Sequence, residues 1–415
     1  MEKKIKVNDL MALVVAISCG LMVFQNFAIP LATSRYDLSC FLILLAIIFY
    51  RKQNKELNIS IVIFFTLFLV IEMIKILYFQ YSSMPRLISG LVWFGGLLLI
   101  FLKKDFVTYN QELVMKSFLF GFFITIIWFL KQYIFGIDLN GFSEKVFRPR
   151  GLFDEPSYAG LFLYSISAAS LGLLILTKIE RNQRFLISFI GLLAFIFAAI
   201  TLSMHIVTFI FSMMMIALIT MIVSNNSIYK ILMFFTSLSF AGFIFAFLLT
   251  QEHFIERLNF FGSYNLSVVS WIQGLHQALT SMASSPIFGF GLGSTGGFDF
   301  ISDTHYKLEI MNKVGQNRLD GYSMIYRLII EIGFIFVFFI LFEIFKEFVM
   351  FIKTIIKFHD HPAIKFYVFN FIFSFTLLIG ILIKEPTYAR SYVYVAVLIF
   401  FTARNMFRSQ LQKIN

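Results

Sequence analysis

Apolar residues occur along the chain in blocks close to the length of a bilayer-spanning helix, separated by short polar stretches. The blocks predict spans near 10–31, 38–50, 57–79, 87–102, 117–135, 157–177, 185–202, 204–223, 228–250, 323–350, 364–383 and 390–403. The first follows Met1-Glu2-Lys3-Lys4-Ile5-Lys6. A cleaved signal peptide is the rival reading there. The run is long for such a segment and shows no clean small-residue cleavage site, so an uncleaved span is expected. The expected fold class is an all-α integral membrane protein of about 12 transmembrane helices. It forms one polytopic domain over 1–415, with no internal repeat, low-complexity linker or soluble domain.

Lys and Arg orient the spans. With the N-terminus in the cytoplasm, the inner segments hold Lys3, Lys4, Lys6, Arg51, Lys52, Lys55, Lys103, Lys104, Lys116, Lys178, Arg181, Arg184, Lys230, Lys346, Lys353, Lys357, Lys365, Arg404, Arg408 and Lys413. These are 20 of the 34 Lys and Arg, and they sit in short connections, where the positive-inside bias acts most strongly. Both termini are then cytoplasmic. Two outer loops follow, one over 136–156 and a much longer one over 251–322, between spans nine and ten. Within the longer loop, Ile272, Leu275, Leu279 and Met282 recur at helical spacing beside Trp271. This predicts a helix that lies in the outer interface or packs against the bundle.

Composition agrees with a lipid solvent. Of 415 residues, 59% are hydrophobic and only 14% charged, mean hydropathy is +0.84, and there are 57 Phe. A soluble domain carries about 25% charged residues. The net charge of +11 would suggest nucleic acid in a soluble protein, but here the cations follow the membrane and no nucleic-acid partner is expected. The two cysteines, Cys19 and Cys40, lie in or beside apolar runs and suggest neither a disulfide framework nor a metal site.

The cations that break the pattern carry the chemical signal. Arg148, Arg150, Arg257, Arg318, Lys384 and Arg390 fall outside, and Arg327 starts a span. Positive charge placed outside opposes the insertion bias, which suits binding of an anion. Scattered outer-loop charge is the plainer alternative. Glu72 with Lys75, and Arg327 with Glu331, have the spacing of neutralising pairs within a helix. The segment Pro286-Ile287-Phe288-Gly289-Phe290-Gly291-Leu292-Gly293-Ser294 permits tight turns and close backbone approach, but no strand precedes it, so it is not a nucleotide loop. His359-x-His361, and Asp303 with His305, supply too few ligands to argue a metal.

Arg148-Pro149-Arg150-Gly151-Leu152-Phe153-Asp154-Glu155-Pro156-Ser157 resembles the Arg-x-x-Gly-hydrophobic-Phe-x-Glu-Pro-Ser segment of bacterial O-antigen and capsule repeat-unit polymerases. The stretch from Trp271 through Pro286 to Gly293 is similar to a Trp…Pro-hydrophobic-x-Gly-x-Gly-hydrophobic-Gly segment of the wider O-antigen polymerase and ligase superfamily. Asp320-Gly321-Tyr322-Ser323 with Glu331-Ile332-Gly333 is similar to that superfamily's approach to the next span. Two departures weigh against a ligase. Asp320 replaces a His, and Val268, Val269 and Ser270 precede Trp271 where an Arg is common.

The resemblance implies a GT-C-like polymerase/ligase bundle. Its substrate would be an undecaprenyl-diphosphate-linked oligosaccharide, joined into O-antigen or capsular polysaccharide at the periplasmic face of the inner membrane. No cofactor or metal would be needed. A chain-length regulator and a flippase would be partners beside membrane lipid. Breaking the sugar–phosphate bond leaves a lipid diphosphate, which needs fixed positive charge. Arg150 is the first candidate, with Arg148, Arg257 and Arg327 beside it. Candidates for the base that receives the acceptor proton are Glu155, His305 and Asp320. Glu155 equally suits a helix cap. The alternatives are a ligase that transfers polymer to lipid A-core, and a polytopic transporter or flippase without covalent chemistry.

Overall fold

The computed structural model describes residues 7–25, 29–31, 34–49, 59–79, 84–103, 107, 109–135, 148–223, 265–285, 287–295, 303–312, 322–385, 388 and 390–414, and scattered residues between 228 and 255. The described chain is helical apart from one small ribbon. In order come α1 (Val7–Leu21), β1 (Ile29–Leu31), β2 (Ser34–Tyr36), α2 (Leu38–Phe49), α3 (Ile59–Phe79), α4 (Met84–Lys103), α5 (Gln111–Phe135), α6 (Pro156–Leu176) and α7 (Arg181–Ile200). They are followed by α8 (Ile206–Val223), α9 (Leu266–Ser284), α10 (Asp303–Ile310), α11 (Met324–Ile332), α12 (Phe334–Phe358), α13 (Ile364–Lys384) and α14 (Ser391–Ile414).

Six of these helices, α4 to α8 and α13, are long and apolar enough to cross a membrane. α1 and α2 are shorter apolar helices. Side chains such as Ile127, Leu192 and Phe338 are exposed on the outside of the bundle, as lipid contact requires.

Two expected spans differ. The first, 10–31, ends as helix at Leu21, and β1 and β2 then pair antiparallel with Pro30 opposite Arg35. Pro30 has no N–H to give a helix and its ring fixes φ, so the apolar run cannot continue as helix through it. The tenth, 323–350, is two helices. They meet at Gly333, whose φ of +89° no side-chain-bearing residue adopts comfortably.

α6 and α13 form the buried centre. In lipid the hydrophobic effect does not press helices together, so close packing must. α6 allows this with Ala159, Gly160, Ser165, Ser167, Ala168, Ala169, Ser170 and Gly172. A Cβ on Gly160 would lie 2.5 Å from Thr201 Oγ1, and one on Gly172 would overlap Ile372. Buried hydroxyls bond back to their own helix, as Ser165 does to Leu161 O at 2.8 Å, or across helices, as Ser212 and Thr376 do at 2.8 Å. Stacked Phe351–Phe371 and Phe118–Phe373 rings, 3.9 and 4.0 Å apart, fill the spaces between.

Contacts sort the helix ends into two sets. At one end Lys103 Nζ donates to Ile47 O, Gln111 Nε2 to Ala403 O and Asn370 Nδ2 to Gln111 O, and Arg404 pairs with Glu347. At the other, Trp271 Nε1 donates to Ile383 O and Ser323 Oγ to Leu382 O, and Arg390 pairs with Asp37 and Asp154. The second end carries the polar chemistry.

Candidate functional site

The turn before α6 is built on Gln132, near the end of α5. Its Oε1 accepts from Arg150 N at 3.2 Å and Gly151 N at 3.0 Å, and its Nε2 donates to Gly151 O at 3.3 Å. Gly151 has φ +61°, and a Cβ there would lie 3.1 Å from the Phe129 ring. Leu152 and Phe153 are buried, and Pro156 opens the helix, where its missing N–H does no harm. The turn therefore sets Arg148 to Glu155 in fixed places. Arg148 Nε donates to Thr201 O at 2.9 Å, and Arg150 Nη1 donates to Asp154 O at 3.1 Å. Glu155 occupies the N-cap position without a side-chain bond to the helix backbone. It is exposed, and its Oε2 accepts from Ser157 Oγ at 3.0 Å.

Arg390, in the connection from α13 to α14, is the hub of this end. Its Nη1 binds Asp154 Oδ2 and lies 3.8 Å from Asp37 Oδ1. Its guanidinium carbon stands 5.8 Å from the centre of the Tyr158 ring. Asp37 Oδ2 accepts from Ser391 N at 2.9 Å and Oγ at 3.0 Å, which caps α14 with a carboxylate. Burial pushes the Asp37 carboxyl up, against the lowering pull of the Ser391 bonds and Arg390. For Arg390, burial acts to lower its pKa, but Tyr158, Glu385, Asp154 and Asp37 together raise it, so it stays charged. Gln25, past the end of α1, accepts from Asp154 N at 3.4 Å.

A second network adjoins it. Glu331, fully buried on α11, accepts from Arg327 Nε at 3.0 Å, Thr295 Oγ1 at 2.8 Å and Tyr388 Oη at 3.1 Å. Arg327 lies over the Tyr388 ring at 4.2 Å. Tyr388 and Arg390 sit in one short connection, so this connection joins Arg327–Glu331 to Asp154 and Arg150.

The glycine-rich segment has a structural use here. Phe290 N donates to Ile330 O at 2.8 Å and Gly291 N to Glu331 O at 2.9 Å, supplying the carbonyls left open where α11 ends. Leu292 N donates to Glu72 Oε2 at 2.7 Å, while Glu72 Oε1 pairs with Lys75 at 2.6 Å. The close approach that the glycines permit is thus to the α11–α12 break, where a Cβ on Gly289 would fall 2.6 Å from Gly333 N. Both intrahelical pairs expected from spacing, Glu72–Lys75 and Arg327–Glu331, are present.

α9 packs on α11 through Ala278, Tyr326 and Ile330, with the Trp271 ring 5.3 Å from that of Tyr326. Its buried face also carries Ser270, Gln273, Gln277 and Ser281, while Leu279 of the expected apolar stripe points outward. Packing against the bundle is therefore the observed arrangement.

Below Tyr388 an apolar groove runs between α4, α11, α12, α13 and α14. Phe94, Leu328, Phe336, Phe339, Val397 and Phe401 are among its walls, and Glu343 is the one carboxylate among the described lining residues. Phe339 is 47% exposed, so the groove opens on the lipid-facing side.

Of the residues singled out from sequence, Arg148, Arg150, Glu155 and Arg327 thus lie at this end. Arg257, Asp320 and the loop segment 136–147 lie outside the described residues. His305 lies on α10, whose first side chains are likewise not described. Among the described residues, no three His, Cys, Asp or Glu side chains converge as metal ligands would. Sequence reasoning missed Asp37, Asp154, Gln132 and Tyr388, and gave Arg390 no partner. The available signal was acid and base in outer connections of a chain this poor in charge. No protein-family profile and no curated protein matches the chain.

Proposed function

We propose that the protein is a membrane glycosyltransferase that polymerises lipid-diphosphate-linked oligosaccharide repeat units into surface polysaccharide, with the Arg150–Arg390 end on the extracytoplasmic side. The carrying observation is the junction of two features. A lipid-facing apolar groove is lined in part by Tyr388, which binds the Arg327–Glu331 pair and lies two residues before Arg390, whose partner Asp154 also holds Arg150. A polyprenyl diphosphate has this polarity, an apolar chain with an anionic head. The groove suits the chain and the cations suit the head.

In this reading the donor lies in the groove and its diphosphate reaches the mouth. Charge grows on the leaving oxygen as the sugar–phosphate bond breaks, and a preorganised guanidinium there stabilises the transition state. Arg150 is the proposed clamp, since the Gln132 turn fixes its backbone and arginine can grip phosphate oxygens with two parallel bonds. Arg327, already paired to Glu331 and laid on Tyr388, shapes the head of the groove. With this end outside, the cytoplasmic termini fit the Lys and Arg placement, and the expected 12 spans rest on the apolar runs.

Lipid extracts from cells lacking the gene test the assignment. Single repeat units accumulating on lipid at the outer leaflet support it. Repeat units retained on the inner leaflet would favour a flippase. Finished polymer on lipid, not joined to lipid A-core, would favour a ligase.

A further inference from the structure

Around Arg390 lie buried polar atoms that have no hydrogen-bond partner among the described residues. Asp154 presents Oδ2 to Arg390, and its buried Oδ1 has none. Asp37 presents Oδ2 to Ser391, and its Oδ1 makes no hydrogen bond. Gln25 is fully buried, bonds Asp154 N through Oε1, and leaves Nε2 without an acceptor. These atoms come from the end of α1, the residue before α2 and the turn before α6; Asp37 and Asp154 meet at the Arg390 guanidinium, and Gln25 joins them through the Asp154 N–H. Each buried polar atom without a partner costs about 1–3 kcal/mol, and native structures hold few of them. Two acceptors and one donor at a single ion pair fit a hydroxyl-bearing ligand. The carboxylate oxygens can take its O–H, and the amide can donate to its oxygens. The Tyr158 and Tyr392 rings pack on each other beside this ion pair, their centres 5.3 Å apart.

Resting on the transfer reaction above, we propose that Asp154 is the general base and that this group of polar atoms receives the attacking hydroxyl of the acceptor sugar. The proton passes from the acceptor O–H to Asp154 Oδ1. The hydroxyl oxygen bonds to the donor's anomeric carbon. The bond from that carbon to the diphosphate oxygen breaks, and its electron pair leaves with the lipid diphosphate, toward Arg150.

Arg390 is a positioning residue, because its grip on Oδ2 turns Oδ1 away from itself. The charged or titratable groups around Asp154 are Arg390, Asp37, Arg150, Glu155, Glu385 and Tyr158. Glu155, the other carboxylate on the turn, already receives Ser157 Oγ. The Asp154 side chain keeps 10% of its surface exposed, beside the exposed Glu155, while Oδ1 itself is buried.

The test uses the full-length protein in liposomes with a purified lipid-diphosphate-linked repeat unit. Asp154→Asn is expected to lower kcat about 10²- to 10⁴-fold, the usual contribution of a general base, with KM little changed. Asp154→Ala should regain turnover on addition of formate, which supplies a mobile carboxylate, whereas Arg150→Ala should not. If loss of charge beside Arg390 unfolds the single variants, Asp154→Asn with Arg390→Gln removes both charges and should fold yet remain inactive. Wild-type kcat in any Asp154 variant overturns the assignment, as does a folded, inactive Asp154→Ala that formate does not restore. Failure of the wild-type protein to polymerise would overturn the polymerase reading itself, so the two failures are distinct.

Discussion

Gly333→Ala is the sharpest test of how the glycine-rich segment is docked. Gly333 combines φ +89° with ψ 162°, a region that costs a side-chain-bearing residue about 1–3 kcal/mol. The added methyl would run into the Ile287 carbonyl and come within 2.7 Å of Gly289 N. Both obstacles are backbone, so no side-chain rotation relieves them. The segment must move away, and the Phe290 N–Ile330 O and Gly291 N–Glu331 O bonds stretch or break. At about 1 kcal/mol net for each bond, the sum is about 3–5 kcal/mol. Gly242→Ala is the control. It lies at a helical position with no atom within 4 Å of a new Cβ, and it should be neutral or stabilising by up to about 1 kcal/mol. Unfolding free energy by denaturant titration in bicelles reads the difference. A Gly333→Ala protein as stable as Gly242→Ala would refute the docking.

Three further outcomes follow from the same geometry. Glu331→Ala removes the shared acceptor of Arg327, Thr295 and Tyr388 and should cost about 3–5 kcal/mol, with Glu331→Gln costing less; equal stability of wild type and Glu331→Ala in the bicelle titration would contradict the network. Leu328→Trp places bulk in the groove below Tyr388 and should raise KM for the lipid-linked donor several-fold with kcat nearly kept, whereas an unchanged KM would remove the groove from donor binding. Because burial raises the Asp37 carboxyl above 3.8, the folded protein binds this proton more tightly than the unfolded chain. Its contribution to stability is therefore present at acid pH and lost as pH rises through the raised value. Asp37→Asn should flatten that part of the stability–pH curve, and an unchanged slope in a pH series of melts would count against it.

The membrane character was legible because it is a property of long runs. So were the i,i+3 and i,i+4 pairs Glu72–Lys75 and Arg327–Glu331, since helix geometry alone brings them together. The break at Gly333 was not, because apolar periodicity continues from Ile329 through Phe336, and the positive φ is imposed by the distant Ile287–Gly291 backbone. The candidate site divides in the same way. Arg148, Arg150 and Glu155 lie together in sequence and were read as a unit. Asp37, Asp154 and Arg390 meet only because α2, α6 and α14 start at the same level of the bundle. No local spacing encodes that meeting, although all three lie in or beside connections assigned to one side by Lys and Arg counting. The stripe on α9 marked the helix but not which face it buries, because Gln273 and Gln277 are buried within the protein, where polarity does not mark the wet face.

Reconstitution decides the matter most directly. Purified protein in liposomes, given only the lipid-diphosphate-linked repeat unit, should yield a ladder of polymers on lipid and release lipid diphosphate, and Arg150→Ala at equal protein level should yield none. A ladder undiminished in Arg150→Ala would contradict the cationic mouth, and repeat units moved across the bilayer without being joined would contradict glycosyl transfer altogether.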